Sequence, residues 1–249
     1  MSVLPASVRV ALWATAALRD GSDLAEVAER ALPDLDHCTG LLERLQLWRS
    51  LGEQVVLAAL VRPGDLTAMP HGPQQLVAAA TEAEELVYVP GTGGALVPWI
   101  GPYGPEVDRG WRVHWEAFDA DPVPVHRLEQ LDLGDVELRL RTELAALTDG
   151  LGDLRGVFAT VPGLEQQARQ QLAAGWGLPR GLPRRAVRTL DLAATAGMLA
   201  RAAQDERLQT VDASTYSRRE VLLTRLRARA DEALGLATNV AVMHLAGWR

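Results

Sequence analysis

The chain has 249 residues, 48% of them apolar and 23% charged, with a formal net charge of −7, which is the composition of a globular protein with room for a substantial core and not of a disordered one. All 25 basic residues are arginine, so there is no lysine for a Walker-type phosphate loop and no side-chain amine for a Schiff base. The single cysteine, Cys38, excludes an internal disulfide and a thiolate zinc site, and it suits a reducing cytoplasm.

The first 50 residues read as three short helices. Pro5 fits the first turn of the first, and Gly21 closes it. Its apolar run, Val10 to Leu18, follows Arg9 and loosely resembles a secretory signal. It is Ala-rich, has one flanking positive charge and leads straight into a capped helix, so a helix of the mature fold is expected. Asp23 with Glu26 makes a capping-box pattern for the second helix, which Pro33 ends. The third is expected from Asp36 to Arg49, with Leu41, Leu42, Leu45 and Trp48 on one face and Gly52 as its stop. Adjacent residues on such a helix do not face each other, so His37 and Cys38 are not a nucleophilic pair. Three helices followed by a strand also fit a winged helix, with Asp36 to Trp48 as the recognition helix. Residues 20–65 carry four arginines against nine acidic residues, a balance that repels DNA and favours protein contacts.

Val55 to Val61, ended by Pro63-Gly64, reads as a buried strand. A helix over Gln74 to Glu82 follows Pro73. Strands are expected over Leu86 to Val89, Ala95 to Ile100 and Gly110 to Phe118. The third alternates, with Trp111, Val113, Trp115 and Ala117 on a packed face and Arg112, His114 and Glu116 on a polar one. Gly91-Thr92-Gly93-Gly94 has the composition of a phosphate loop. It runs from strand to strand, however, and not into a helix, so it is expected to be a hairpin turn. Leu86 to Pro105 is uncharged over 20 residues, but nine are Gly or Pro, which no membrane-spanning helix tolerates.

From about residue 130 the pattern is helical. Asp132 is the expected N-cap, with Leu131 and Val136 as a hydrophobic staple, of a helix reaching Leu147. Further helices are expected over 163–174, 184–204 and 213–234, with the apolar tail Leu236 to Trp248 as a last segment. Ala233 to Trp248 spans 16 residues, too few to cross a bilayer. Isoleucine and asparagine occur once each, as Ile100 and Asn239; with the missing lysine this fits a high-GC bacterial genome.

The charge is uneven. Residues 1–150 carry 11 arginines and 23 acidic residues, while residues 151–249 carry 14 and nine, a net of −12 against +5. Either the halves dock on each other, or the second half presents an anion-binding surface. Candidates for that surface are Arg180, Arg184, Arg185 and Arg188 on a Gly/Pro-rich connection, and Arg218 and Arg219 beside the capping-box pattern of Ser217 and Glu220. The polar strand face Arg112, His114, Glu116 is a second candidate site, since a cation, an imidazole and a carboxylate there could orient a ligand. Asp119, Asp121 and His126 are the best available ligands for a hard cation, yet ordinary turn chemistry accounts for them, and no metal or other cofactor is expected.

The sequence thus points to an α+β, predominantly helical protein. Residues 1–52 form an N-terminal helical segment, 53–130 a small and mostly antiparallel sheet region, and 131–249 an Arg-rich helical bundle, all in one compact body. With no catalytic constellation, the leading expectation is a cytoplasmic, non-catalytic interaction or regulatory protein with a protein partner. The alternatives are an enzyme or binding module for a phosphorylated or anionic small molecule, using the C-terminal arginines, and then a nucleic-acid-binding protein.

Overall fold

The structure, a computed structural model, describes residues 4–105, 108–130, 132–150, 178–205 and 213–248; the side chains of 125, 129, 147–150, 202, 205 and 213–219 lie outside it. The protein has an α+β fold. Eight helices are described: α1 Ala6–Asp20, α2 Glu26–Ala31, α3 Leu41–Ser50, α4 Gln74–Ala83, α5 Val125–Glu129, α6 Leu133–Gly150, α7 Arg184–Asp205 and α8 Ala213–Leu245. Five strands, β1 His37–Thr39, β2 Leu57–Leu60, β3 Glu85–Tyr88, β4 Ala95–Tyr103 and β5 Gly110–Phe118, form one mixed sheet in the order β1-β5-β4-β3-β2. Only β1 and β5 run parallel.

The strands follow the expected alternation where they are half-covered. On β5, Val113 and Trp115 are buried and Arg112, His114 and Glu116 exposed, while Trp111 is half-buried and Ala117 is exposed. β2 and β3 are apolar on both faces because both are covered. Helices α1 and α8 pack on β2, and α1 and α4 on β3. One apolar cluster runs from Leu4 to Met243 through both halves of the chain.

Three expectations are corrected. The third helix begins at Leu41, not Asp36, since His37–Thr39 is a strand paired with Arg112–His114. Asp36 is spent on that pairing. Its backbone N–H donates to Trp111 O at 2.8 Å and its carboxylate accepts from Trp111 N at 2.7 Å. Gly40, at φ 80°, then turns the chain into the helix. The winged-helix recognition helix therefore loses its first turn to the sheet. Second, the tail is not a separate segment, because α8 runs unbroken through Gly235 for 33 residues. A mid-helix glycine costs about 1 kcal/mol against alanine, but Gly235 is buried where α8 meets β2 and packing overrides that cost. Third, Asp23 caps only locally, accepting from Ala25 N at 2.9 Å, and Glu26 pairs with Arg30 instead of completing a capping box. Asp132 does cap α6, accepting from Gly134 N at 2.7 Å. The helix expected over 163–174 and the staple residue Leu131 lie outside the described residues.

Candidate functional site

Strand β2 is a sheet edge, and an edge strand needs cover for its outward backbone groups. Val61 N bonds to Glu84 O across the β2–β3 ladder, so residues 56, 58 and 60 face outward. Thr15 of α1 satisfies Val56, its hydroxyl accepting from Val56 N at 2.9 Å and donating to Val56 O at 3.2 Å. Asn239 of α8 satisfies Ala58 in the same way: its amide oxygen accepts from Ala58 N and its amide nitrogen donates to Ala58 O, both at 2.9 Å. The only asparagine of the chain thus completes the edge of the sheet.

Beyond Asn239 this edge opens into a cavity of about 280 Å³. Its walls are Leu60 and the loop after it, residues Pro70 and His71, the Pro122-Val123-Pro124 stretch with Arg127 and Leu128, and the α8 face from Ala228 to Asn239. Tyr88 of β3 reaches it from within the sheet and is only 4% exposed. Its hydroxyl opens on the cavity and has no hydrogen bond among the described residues. Burial pushes the phenol above its ordinary range. A hydroxyl that is accessible from a cavity and has no protein partner is free to bond a group that enters it.

The charged residues behind the cavity are tightly coupled. Arg62 pairs with the buried Asp231 and lies 3.9 Å from Glu84, and Arg227 also pairs with Glu84. The Arg62 guanidinium is lowered to about 10, first by burial and then by the nearby charge of Arg227, with Glu84 opposing and Arg201 adding to the effect. The Nε atoms of Arg62 and Arg227 are buried without partners. Glu84 itself sits at φ 60°, the one non-glycine residue in the left-handed region among those described.

Residues 7–129 match the N-terminal domain of the Rv1486c-like proteins, and residues 134–235 match their C-terminal domain. The chain belongs to the Rv1486c-like family. No curated protein and no solved structure matches it. The Rv1486c-like domain bounds give the cavity its meaning. Leu60 to Leu128 belong to the N-terminal domain and Ala228 to Gly235 to the C-terminal one, so the cavity lies on the seam between the two. Small-molecule sites favour such seams.

The residues singled out from sequence lie elsewhere. Arg185 pairs with Glu137 at 3.2 Å. Arg184 and Arg188 are exposed and make no ion pair among the described residues. Arg180 lines a separate cavity of about 420 Å³ with Trp13, Arg19 and Arg30, which the other arginines of its group do not reach. Helix α8 starts at Ala213, so Arg218 and Arg219 are interior helical positions and do not flank a helix start; their side chains lie outside the described ones.

On the polar strand face, His114 Nδ1 is 3.0 Å from Thr39 Oγ1, and Glu116 accepts from the Trp99 indole at 2.7 Å. Both are engaged with neighbouring strands and not with each other, and Arg112 is exposed beside them. Asp119, Asp121 and His126 are all exposed, His126 on the short helix α5. No group of three ligating side chains able to hold a metal occurs among the described residues.

The glycine loop is a hairpin turn between β3 and β4, closed by Val89 N to Gly94 O at 3.2 Å. It also holds an anion, the buried carboxylate of Glu53, which accepts from Gly91 N at 3.4 Å and from Thr92 N. A Cβ on Gly91 would lie 2.8 Å from that carboxylate. Sequence reading missed Glu53, Tyr88, Arg62 and Asn239. Only Asn239 carried a signal, its uniqueness in a chain that avoids asparagine.

Proposed function

We propose that the protein is a non-catalytic interaction or regulatory protein of the cytoplasm, with the seam cavity as its recognition site. The observation that carries this reading is the Tyr88 hydroxyl, unpartnered at a cavity to which both Rv1486c-like domains contribute. A group bound there touches both domains, so occupancy stabilises the form in which they are docked; that is how a ligand or a partner protein's side chain regulates. The carboxylates of the cavity support a binding role over a catalytic one. Asp231 is held by Arg62, Glu232 by Arg139 and Arg229, and Asp65 by the Thr67 hydroxyl and N–H. Each is engaged as an ion-pair or hydrogen-bond acceptor, an arrangement poorly suited to moving a proton. No helix among the described residues is long and apolar enough to cross a membrane, which accords with a cytoplasmic location.

The test is a groove-filling variant. Ala228 is half-buried on the cavity wall of α8, and Ala228→Trp should occupy the space without entering the core. Wild type purified from a high-GC bacterial extract is expected to retain a stoichiometric partner or small molecule, identified by mass spectrometry, which the variant loses at unchanged thermal stability. Equal retention by both proteins would place recognition elsewhere.

A further inference from the structure

We infer that the seam cavity takes a small primary amine, its ammonium at the free carboxylate oxygens of Asp65 and Asp231, its apolar stem along α8, and an oxygen at its far end on the Tyr88 hydroxyl. This rests on the seam cavity being the recognition site and names the class of ligand it recognises.

The charges lining the cavity are Arg62 and Arg127 against Asp65, Asp231 and Glu232, two positive and three negative, a balance that one ammonium neutralises. Glu232 is taken through both oxygens by Arg139 and Arg229, which do not line the cavity. Arg62 is taken as well, by Asp231 and Glu84, and Arg127 is exposed to solvent, which screens it. Carboxylate capacity remains. Among the described residues Asp231 meets Arg62 through Oδ2 and leaves Oδ1 without a partner, and Asp65 receives Thr67 through Oδ1 and leaves Oδ2. Asp231 is only 7% exposed and lines the cavity. Free carboxylate oxygens call for a ligand that brings N–H donors and positive charge.

The Tyr88 hydroxyl is independent of this charge and lies at the other end of the cavity. Arg62 joins the two aspartates, its backbone paired with Asp65 and its guanidinium with Asp231. Tyr88 is instead in register with Leu57, next to the Ala58 that Asn239 holds. Asp231, Gly235 and Asn239 share one face of α8 at four-residue spacing. At the helical rise this sets Asp231 and Asn239 about 12 Å apart. Leu60 and Leu236 lie between these ends, and Met69, Val123 and Leu128 add to an apolar wall for the stem. Tyr88 is 4% exposed with its hydroxyl unpartnered, so an oxygen at the far end of the ligand meets a donor. At roughly 30 Å³ per small group, the volume of about 280 Å³ holds some nine or ten atoms, the size of tyramine.

The experiment is calorimetric titration of the full chain with tyramine, set against matched compounds. These are 2-phenylethylamine, which lacks the far oxygen, tyrosol, which has a hydroxyl in place of the ammonium, and 3-(4-hydroxyphenyl)propionate, which has a carboxylate there. Tyramine is expected to bind, with tyrosol and the acid weaker by about tenfold or more. 2-Phenylethylamine should be weaker by about three- to tenfold, the effect of one hydrogen bond. Tyr88→Phe should bring tyramine down to the affinity of 2-phenylethylamine, with the melting temperature unchanged or raised. Asp65→Asn keeps the oxygen that Thr67 uses, and it should weaken both amines while leaving tyrosol unchanged. No binding of tyramine would overturn the inference, as would tyrosol or the acid binding as tightly, or unaltered tyramine affinity in Tyr88→Phe or Asp65→Asn. The two proposals fail separately. If Ala228→Trp loses a retained partner but wild type does not bind tyramine, the ligand class falls and the recognition site stands. If tyramine binds and Ala228→Trp keeps its partner, the reverse holds.

Discussion

Asn239 is the residue whose loss should be felt most sharply per atom. Asn239→Ala leaves a buried N–H and a buried C=O of Ala58 without partners, at about 1–3 kcal/mol each, and a urea melt should show a loss of that order. Glu85 predicts the pH dependence. Burial raises its carboxyl above the ordinary value of 4.5, against the hydrogen bond from the Ser7 backbone N–H and the charges of Arg9 and Arg201. The folded chain therefore holds this proton more tightly than the unfolded one. Ionising Glu85 has no effect on stability below the unfolded value, and it costs stability increasingly as pH rises through the folded one. Glu85→Gln is expected to be more stable than wild type at pH 7, with the advantage vanishing as pH falls below 4.5. Melts of both proteins across that range check the sign. Cys38 is pushed up to about 11, first by burial, with the nearby Trp115 side chain offsetting part of the shift and the charge of Glu43 adding to it. Because the thiolate is the nucleophile, iodoacetamide at pH 8 should alkylate it about a hundredfold more slowly in the folded chain than in the unfolded one.

Strand β1 is an element that exists only because β5 is there to receive it. Three residues cannot hold an extended conformation alone, and within one sequence window His37-Cys38-Thr39 continues the helical pattern of Leu41, Leu45 and Trp48. The backbone device that separates them is Gly40. Its positive φ and its approach to the Trp115 carbonyl leave no room for a Cβ. Gly40→Ala should therefore destabilise by about 2–4 kcal/mol and fray β1 from the sheet, seen as faster amide exchange at Cys38 and Thr39. Helix α8 is the opposite case, where a local breaker fails to break. Gly235 lies where the helix is buried against β2, one turn before Asn239.

Across the whole molecule, ion pairs among the described residues cross between the two halves of the chain, three with the arginine on the basic half and two the other way round. Arg62–Asp231, Arg139–Glu232, Arg185–Glu137, Arg225–Glu143 and Arg227–Glu84 each join a residue of the first 150 to one of the last hundred. Most are exposed at one end and worth little. Arg62–Asp231 is the exception, with side chains 18% and 9% exposed. Breaking such a pair strands a buried charge, so Asp231→Asn is expected to lose about 3 kcal/mol or more in a urea melt. Replacing both partners together, Arg62→Met with Asp231→Leu, should restore much of that loss. If the double variant is no better than the single one, the pair is not the source of the loss.

Periodicity and punctuation determined most of the elements. Amphipathic runs bounded by Pro73 or Gly21, and the alternation of β5, are local properties that a short window contains. They placed α1, α4, α6, α7, β2 and β5 close to their ends, and the α+β class with them. The mismatched elements were those settled by a distant partner: β1 by Trp111 and Val113, the unbroken α8 by β2, and α5, too short for any period. The site was hidden for the same reason. Tyr88 sits in an ordinary strand run, Arg62 just after another, and Asn239 in an apolar helix more than a hundred residues on. Nothing in their spacing marks a site, because the spacing that matters lies across the seam between two domains. Burial decides that a strand tyrosine ends at a cavity and that an arginine is tied to an aspartate. Burial is a property of the packed molecule, which no window of the sequence contains.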